Sequence, residues 1–308
     1  MQRRDWLAGT AAGLLAAGAA SARTAPRAAP STPARDALRV EAVQMPAWTG
    51  EAGRRVPLAP GDAVPAQAEV ETGGEAGLVL QLPEGSQLRL GEKTRLRIPA
   101  LQAARDPESV DVQAELTLLQ GFLRFTTSSV AKAVGRRRID VGLRTATIGI
   151  RGTDFWAMTD DDHDAACLFE GRVELQTSEQ GALLLERPTA FWTRVYRQPP
   201  QAVGNATPEQ LQRFLGTTEL KPGRGVAVAG GRWRVVAATL PQAQGAAARR
   251  LVASLREAGY PAVTRERAGG KPVTEVRINQ LATRADAQAV LDKLAGRDGI
   301  DGRVALSA

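Results

Sequence analysis

The chain has 308 residues, a formal net charge of +7 and a hydrophobic content of 43%. This length is long for one domain and comfortable for two. Its single cysteine excludes an internal disulfide framework. With one histidine and one cysteine, the chain has few of the side chains that metal sites and catalytic sites commonly use. The composition therefore favours a binding protein over an enzyme.

The positive charge is concentrated near the C-terminus. Residues 232–308 contain 13 lysines and arginines against 7 aspartates and glutamates, whereas residues 37–231 contain 22 against 24. Long-range attraction to an anionic polymer is therefore expected of the C-terminal segment alone.

Residues 1–22 are predicted to be a cleavable secretory signal peptide. Arg3 and Arg4 supply the positive n-region, a short apolar run follows, and Ala20 and Ala22 form an A-x-A cleavage site. The arginine pair also fits a twin-arginine signal, so both the twin-arginine route and the general secretory route stay open.

The apolar run of the leader is too short and too rich in Ala and Gly to span a bilayer. Residues 23–37 are rich in Ala, Pro and Arg and are predicted to be a disordered tether. The mature protein is therefore expected to be exported to the periplasm, with no transmembrane segment.

Residues 38–198 show short apolar runs separated by turns, with almost no helical periodicity. In residues 94–98, Leu96 and Ile98 alternate with Arg95 and Arg97, and Gly73-Gly74 and Pro83-Glu84-Gly85 mark turns. This regular spacing is typical of an all-β sandwich or a β-roll.

Several segments of this region carry a family pattern. They are Val56–Asp62, Val70–Gly73, Leu82–Ser86, Leu118–Gly121, Thr145–Phe155 and Phe169–Val173. In these segments the chain resembles a FecR domain, and the most specific residues are Ile150, Arg151, Gly152, Thr153, Phe155, Glu170 and Gly171.

The glycine of this motif can let a strand bend or let another backbone approach closely. We interpret Arg151, Gly152 and Thr153 as residues that define the fold, with a ligand contact as the alternative. The resemblance implies periplasmic signal relay from outer-membrane transporters to a sigma factor, through a cytoplasmic segment and a membrane helix. Because the chain begins with a cleavable leader, we expect a ligand-sensing or scaffold role instead, with an unknown envelope protein or ligand as partner; FecR-type regulation is the alternative.

Two features of the β region bear on chemistry. Cys167 lies in an apolar run and is predicted to be a small buried side chain rather than a nucleophile. The acidic loop around His163 could attract a cation, but its spacing is not that of a calcium loop. We therefore expect a solvated turn, no metal, no cofactor and no catalytic residue.

Residues 199–231 are predicted to hold a short helix and a linker. Thr207 and Gln210 form a capping box with Pro208 at the first helical position, and the helix is expected to pack on the β domain. Residues 220–231 are predicted to be a Gly- and Pro-bearing linker.

Residues 232–308 follow the order strand, helix, strand, strand, helix, strand. Thr283 is predicted to cap the second helix, with Asp286 at its N3 position. Two helices with one apolar stripe each can cover only one face of a four-stranded sheet, so the other face should be open. Pleat alternation predicts that the open face bears Arg234, Val236, Ala238, Glu275, Arg277 and Asn279.

This module resembles a SPOR domain in residues 233–235, 255–260 and 276–287, the last being the most specific. The resemblance implies a small βαββαβ fold of the ferredoxin or RNP type that binds septal peptidoglycan, namely denuded glycan strands, across the open sheet face, and so a link to cell division. Val236 stands where the family often has glutamine. Arginine suits the lactyl carboxylates of that polymer, whereas the alternative is an ordinary solvated face.

Nucleic-acid recognition and peptidoglycan hydrolysis are the two alternative functions. RNA-recognition modules share this strand order, but they stack bases on aromatic side chains, which the predicted outward positions lack; no nucleic-acid partner is expected. A peptidoglycan hydrolase would need paired carboxylates, and no such pair stands out. The sequence therefore predicts a non-enzymatic periplasmic protein that binds peptidoglycan.

Overall fold

The structure is a computed structural model that describes residues 36–51, 54–106, 109–129, 136–150, 152–267 and 272–307. The residues of the predicted signal peptide (Arg3, Arg4, Ala20 and Ala22), residues 23–35 of the predicted tether, and Arg151 lie outside the described residues. The described residues form one compact unit.

The described residues form 22 strands and three α-helices. The helices are α1 (Pro208–Thr218), α2 (Gly245–Glu257) and α3 (Arg284–Leu294). The strands are β1 (Ala37–Gln44), β2 (Ala47–Glu51), β3 (Arg54–Pro57), β4 (Ala63–Pro65), β5 (Glu69–Thr72), β6 (Gly77–Gln81), β7 (Gln87–Leu90), β8 (Arg95–Arg105), β9 (Val110–Thr126), β10 (Arg137–Gly142), β11 (Ala146–Ile150), β12 (Asp154–Thr159), β13 (His163–Glu170), β14 (Val173–Thr177), β15 (Gly181–Leu185), β16 (Ala190–Val195), β17 (Gly204–Asn205), β18 (Val226–Val228), β19 (Trp233–Pro241), β20 (Val263–Arg267), β21 (Val273–Leu281) and β22 (Arg303–Leu306).

The N-terminal region is a sandwich of two sheets that share β9. Sheet I has the order β17-β16-β13-β12-β9-β7-β6-β1, and β4 and β18 both pair with β1. Sheet II has the order β15-β14-β11-β10-β9-β8-β5-β2-β3. The β9–β10 pair is parallel, and the other described pairs of these sheets are antiparallel.

Strand β9 can serve both sheets because it changes direction at a glycine. Its first part pairs with β8 and β10, and its last six residues pair with β12. Gly121 lies at the change with a φ of +95°, and a Cβ there would come within 2.4 Å of Thr94 Oγ1. Only glycine fits such a backbone conformation this close to a neighbouring strand.

The core lies between the two sheets and is made by alternate residues of their strands. Phe125 of β9 and Phe155 of β12 are fully buried, with ring centroids 6.1 Å apart. The predicted fold class is confirmed: the chain is mainly β, with a β sandwich followed by a small βαββαβ module.

Helix α1 packs on the outer side of sheet I. The side chain of Thr207 caps the helix, and Gln210 completes the capping box. Phe214 stacks on Trp156 of β12 at a centroid distance of 4.1 Å, and Trp156 Nε1 donates a hydrogen bond to Thr217 Oγ1 at 2.9 Å. The helix thus covers an aromatic cluster that the sandwich leaves on its outer surface.

The C-terminal sheet has the strand order β20-β21-β19-β22. Helix α2 contacts β19, β20 and β21, and helix α3 contacts β19, β21 and β22. Strand β18, which lies in the predicted linker, pairs with β1 and also with β21, where Ala227 is opposite Leu281. The linker is therefore a strand that joins the two modules.

Two side chains strengthen this junction. Asp286 is fully buried, and its Oδ1 accepts hydrogen bonds from the backbone amides of Gly223, Gly225 and Val226 at 2.7, 3.2 and 2.9 Å. Trp48 Nε1 donates to the carbonyl of Glu257 at the end of α2. Among the described helices, none has the length and apolarity needed to cross a membrane.

Candidate functional site

The C-terminal sheet has two chemically different faces. Val235, Ala237, Val276 and Ile278 are buried in the core that the sheet shares with α2 and α3. The strand registers place charged side chains on the opposite face, because residues directly opposite each other on paired strands project to the same side. We call this set the arginine face; its members are Arg234, Arg265, Arg267, Glu275, Arg277 and Arg303.

Glu275 is the centre of the arginine face, with only 2% of the residue exposed. Arg277 Nε donates to Oε2 of Glu275 at 2.7 Å, and Arg303 Nη2 donates to Oε1 at 2.9 Å. Arg267 Nη1 lies 3.5 Å from Oε1. One carboxylate therefore holds guanidinium groups from three different strands.

This arrangement keeps the carboxylate ionised. Burial alone would raise the pKa of Glu275, but the hydrogen bond from Arg277 and the charges of Arg277, Arg303 and Arg267 outweigh it and hold the pKa below its ordinary value. A buried carboxylate is tolerated here because its oxygens have charged donors.

Arg265 on β20 is exposed, and Arg234 on β19 is the partly buried arginine of this face that has no such partner among the described residues. Its Nε atom is buried and has no hydrogen-bond acceptor among the described residues. Burial, together with the like charges of Arg277 and Arg303, lowers the pKa of Arg234, although the charge of Glu275 acts in the opposite sense. The arginine face thus carries a surplus of positive charge and an unused donor.

The predicted open-face residues lie in two groups. Arg234, Arg277 and Asn279 are partly exposed, whereas Val236, Ala238 and Glu275 are buried, which corrects the expectation that all six face solvent. Glu275 is buried because arginine side chains cover it. Val236 is opposite Arg277 on one neighbouring strand and opposite Arg303 on the other.

Ala238 is buried for a different reason. A register shift between Val236 and Ala238 places Ala238 opposite buried Val276, and Thr239 takes the position opposite Glu275. Thr239 Oγ1 then accepts a hydrogen bond from Arg303 Nη1 at 3.1 Å. The alternation of side chains in the sequence does not predict Thr239 and Arg303 on this face. The alternation of Arg265 and Arg267 along β20 does indicate further arginines on one side of the sheet.

The FecR-like motif residues meet at a tight backbone junction between β11, β12, β13 and β14. Gly152 and Gly171 both have a φ of +85°, and a Cβ on Gly171 would lie 2.4 Å from the carbonyl oxygen of Gly152. The backbone amide of Thr153 donates a hydrogen bond to Thr127 Oγ1, and the carbonyl of Thr153 accepts one from the backbone amide of Thr127, both at 2.9 Å.

The other motif residues surround this junction. Ile150 and Phe155 are buried, and Glu170 pairs in register with Asp154. This packing supports the fold-defining interpretation of the motif, while a ligand contact by Arg151 stays a prediction, since Arg151 lies outside the described residues.

The acidic loop is occupied by protein contacts. Asp164 is fully buried; its Oδ2 accepts from Thr145 N and Oγ1 at 2.6 Å, and its Oδ1 accepts from the Tyr196 hydroxyl at 2.6 Å. Asp160 Oδ1 accepts from the amides of Asp162 and His163. No cluster with metal-ligand geometry occurs within the described ranges.

Cys167 lies on β13 between sheet I and α1 and is fully buried. Burial raises the pKa of its thiol to about 12. A thiol with that pKa is almost entirely protonated at neutral pH, so Cys167 is a packing residue in the folded protein.

The fold and the arginine face define a β-sandwich protein that carries a charged, sheet-based binding module. Family comparison matches residues 68–174 to "FecR protein" and residues 229–304 to "SPOR domain". The chain therefore contains a FecR domain followed by a SPOR domain.

No curated protein matches the chain. Two crystal structures of a protein provisionally assigned as an anti-sigma factor from Parabacteroides distasonis ATCC 8503 are similar to it. One is 13% identical, covers 67% of this chain and 96% of its own, and has a TM-score of 0.36. The other is 14% identical, covers 77% and 97%, and has a TM-score of 0.37; neither score carries an inference about function.

The two domain matches set the coarse function. A SPOR domain supports peptidoglycan binding, and a FecR domain supports a regulatory role with a protein partner. Both are binding or regulatory kinds of domain, and both are typical of the cell envelope.

Proposed function

We propose that this protein is a non-enzymatic periplasmic protein that binds denuded peptidoglycan glycan strands through the arginine face and holds its FecR domain at the cell wall. The observation that carries the proposal is the arginine face itself, with arginines from all four strands on the side of the sheet that the helices do not cover. A flat charged surface of this kind suits an extended anionic polymer.

The content of this face argues against hydrolysis of the bound strand. Glycoside hydrolysis uses a pair of carboxylates on either side of the scissile bond. Glu275 is the one carboxylate among the described residues of the arginine face, and three arginines occupy its oxygens. The face therefore suits binding rather than acid–base chemistry.

The FecR domain is proposed to present a surface to a ligand or to an envelope protein. Because β18 pairs with both modules and Asp286 binds the chain just before it, the FecR and SPOR domains should move together as one unit. A glycan-bound SPOR domain would then fix the orientation of the FecR surface as well as its position. A FecR-type signal-relay role is the second candidate, favoured by the domain match.

Sedimentation with purified sacculi tests the proposal. The full chain should pellet with sacculi whose stem peptides an amidase has removed, and much less with intact sacculi. Replacing Arg303 with Gln should weaken pelleting, whereas Arg250→Gln, an exposed position on helix α2 of the same module, should not.

Equal pelleting with treated and intact sacculi, or none with either, contradicts the proposal. A pull-down from envelope extracts with the full chain as bait would identify the partner of the FecR domain. A sigma-factor regulator in that pull-down would favour the signal-relay candidate over the scaffold.

A further inference from the structure

The arginine face holds more positive charge than its own carboxylate can balance. Five arginines project to the side on which Glu275 is the one described acid. The Glu275 oxygens are already taken by Arg277, Arg303 and Arg267. A second anion is therefore favoured on this face, and it must come from outside the chain.

Arg234 marks where that anion binds. It lies on β19 in register with β22, within the electrostatic reach of Arg277 and Arg303, and its buried Nε has no acceptor among the described residues. A buried donor without an acceptor is costly, and an anionic ligand would supply the acceptor. The like charges of Arg277 and Arg303 would be offset by the same ligand.

The carboxylate of Glu275, which the arginine face already binds, indicates which kind of anion the face would accept. Arg277 places both Nε and Nη2 on one oxygen, Oε2, of the Glu275 carboxylate, and charge-assisted hydrogen bonds of this kind are the strong contacts that guanidinium groups make with carboxylates.

We propose that Arg234 binds a carboxylate of the glycan strand, and that this contact is what distinguishes denuded strands from strands that still carry stem peptides. The inference rests on the proposed function. When an amidase removes a stem peptide, water cleaves the amide bond to the lactyl group, leaving a carboxylate on the sugar and an amino group on the released peptide. A neutral amide thereby becomes an anion.

Glu275 is the positioning residue of this site. It holds the guanidinium groups of Arg277 and Arg303 on its two oxygens, and the charges of both already act on Arg234 before the ligand arrives. An arginine already fixed by a buried carboxylate loses little side-chain freedom on binding, which favours affinity.

The test compares two forms of the same denuded glycan strands. In one form the lactyl carboxylates are free; in the other they are coupled to methylamine, which restores a neutral amide without a peptide. The full chain should bind the free form at least about ten-fold more tightly than the blocked form. Binding of the free form should weaken as salt is raised, because the contact is ionic.

Arg234→Gln should lower affinity for the free form about ten-fold, so that the free form loses its preference over the blocked form. Arg250→Gln is the matched control and should keep the preference. If Arg234→Gln lowers the melting temperature, Arg303→Gln provides the second variant, because the side chain of Arg303 is 50% exposed.

The outcomes separate the two proposals. If the protein does not bind denuded strands with free carboxylates, the proposed function itself is wrong. Equal binding to the free and blocked forms, or an unchanged preference in Arg234→Gln, leaves the proposed function intact and overturns the carboxylate inference. Competition by inorganic polyphosphate at the same charge concentration as free glycan would also overturn it, because the face would then be a general anion surface.

Discussion

Arg303 and Glu275 are hydrogen bonded across an intervening strand. Arg303 is on β22 and Glu275 is on β21, and β19 lies between them in the sheet. Arg303 spans β19 by donating to Thr239 Oγ1 at 3.1 Å and to Glu275 Oε1 at 2.9 Å. The contact therefore fastens three strands together on the face that no helix covers.

Replacing Glu275 with Gln should destabilise the protein and change how its stability depends on pH. The folded-state pKa of Glu275 lies below the ordinary value of 4.5, so its contribution is fully present above pH 4.5 and is lost as pH falls through the folded pKa. At neutral pH the variant should lose about 2 kcal/mol of unfolding free energy, because clustered arginines then lack their counter-charge.

Denaturant unfolding at a series of pH values measures both effects. The stability difference between wild type and Glu275→Gln should shrink as the pH is lowered below 4.5. Glu266→Gln, an exposed change on β20, should have little effect. A constant difference at all pH values would mean that the charge of Glu275 is not what stabilises the face.

Sequence alternation predicted which side of β19 faces the helices but not where the alternation breaks. Val235 and Ala237 are buried as expected, yet the irregularity before Ala238 moves Thr239 onto the arginine face. A bulge depends on the partner strand as well as on its own residues, so a single strand's pattern does not reveal it. The burial of Glu275 likewise depends on arginines brought from β20 and β22.

Replacing Asp286 with Ala should loosen the junction between the two modules. Its carboxylate accepts three backbone hydrogen bonds from the segment that leads into β18, and removing it leaves those amides unpaired. We expect a loss of about 3 kcal/mol in unfolding free energy. Hydrogen exchange at Gly223, Gly225 and Val226 should rise more than exchange in the sandwich core.

Asp292→Ala is the control for this change, because Asp292 is exposed on the same helix and its side chain binds only Gln288 among the described side-chain contacts. If both variants give the same exchange pattern, the effect belongs to helix α3 rather than to the junction.

The junction itself could not be predicted from local pattern. Asp286 was expected at the N3 position of a capping box, and the Thr283 hydroxyl does accept from its amide at 3.1 Å. Its carboxylate, however, binds amides some 60 residues earlier in the chain. Residues 226–228 fall within the predicted linker, because three residues are too few to show a strand period.

Replacing Phe214 with Ala should detach helix α1 from sheet I. Phe214 lies between Trp156 and Phe191, at centroid distances of 4.1 and 5.5 Å. The cavity should lower unfolding free energy by about 3 kcal/mol and change the near-UV circular dichroism of the buried tryptophan. Arg213→Ala, exposed on the same helix, should do neither; an unchanged Trp156 signal in Phe214→Ala would contradict the packing described here.

Gly171 and Gly181 form a matched pair for the FecR motif. Both have a positive φ, +85° and +70°, but a Cβ meets the Gly152 carbonyl only at Gly171 and meets nothing within 4 Å at Gly181. Gly181→Ala should cost about 1 kcal/mol through its backbone conformation. Gly171→Ala should cost about 3 kcal/mol, because the added methyl group also forces the strands apart. Equal melting temperatures for the two variants would remove the case for a close approach at this junction.

The footprint of a denuded glycan strand on the full chain tests the central claim most directly. Amide and arginine side-chain NMR shifts, recorded with and without glycan, should change at Arg234, Arg277 and Arg303 and along β19 to β22. Arg249 and Arg250 on helix α2 should not shift. Changes confined to the helices or to the β sandwich, with the arginine face unaffected, would contradict the account.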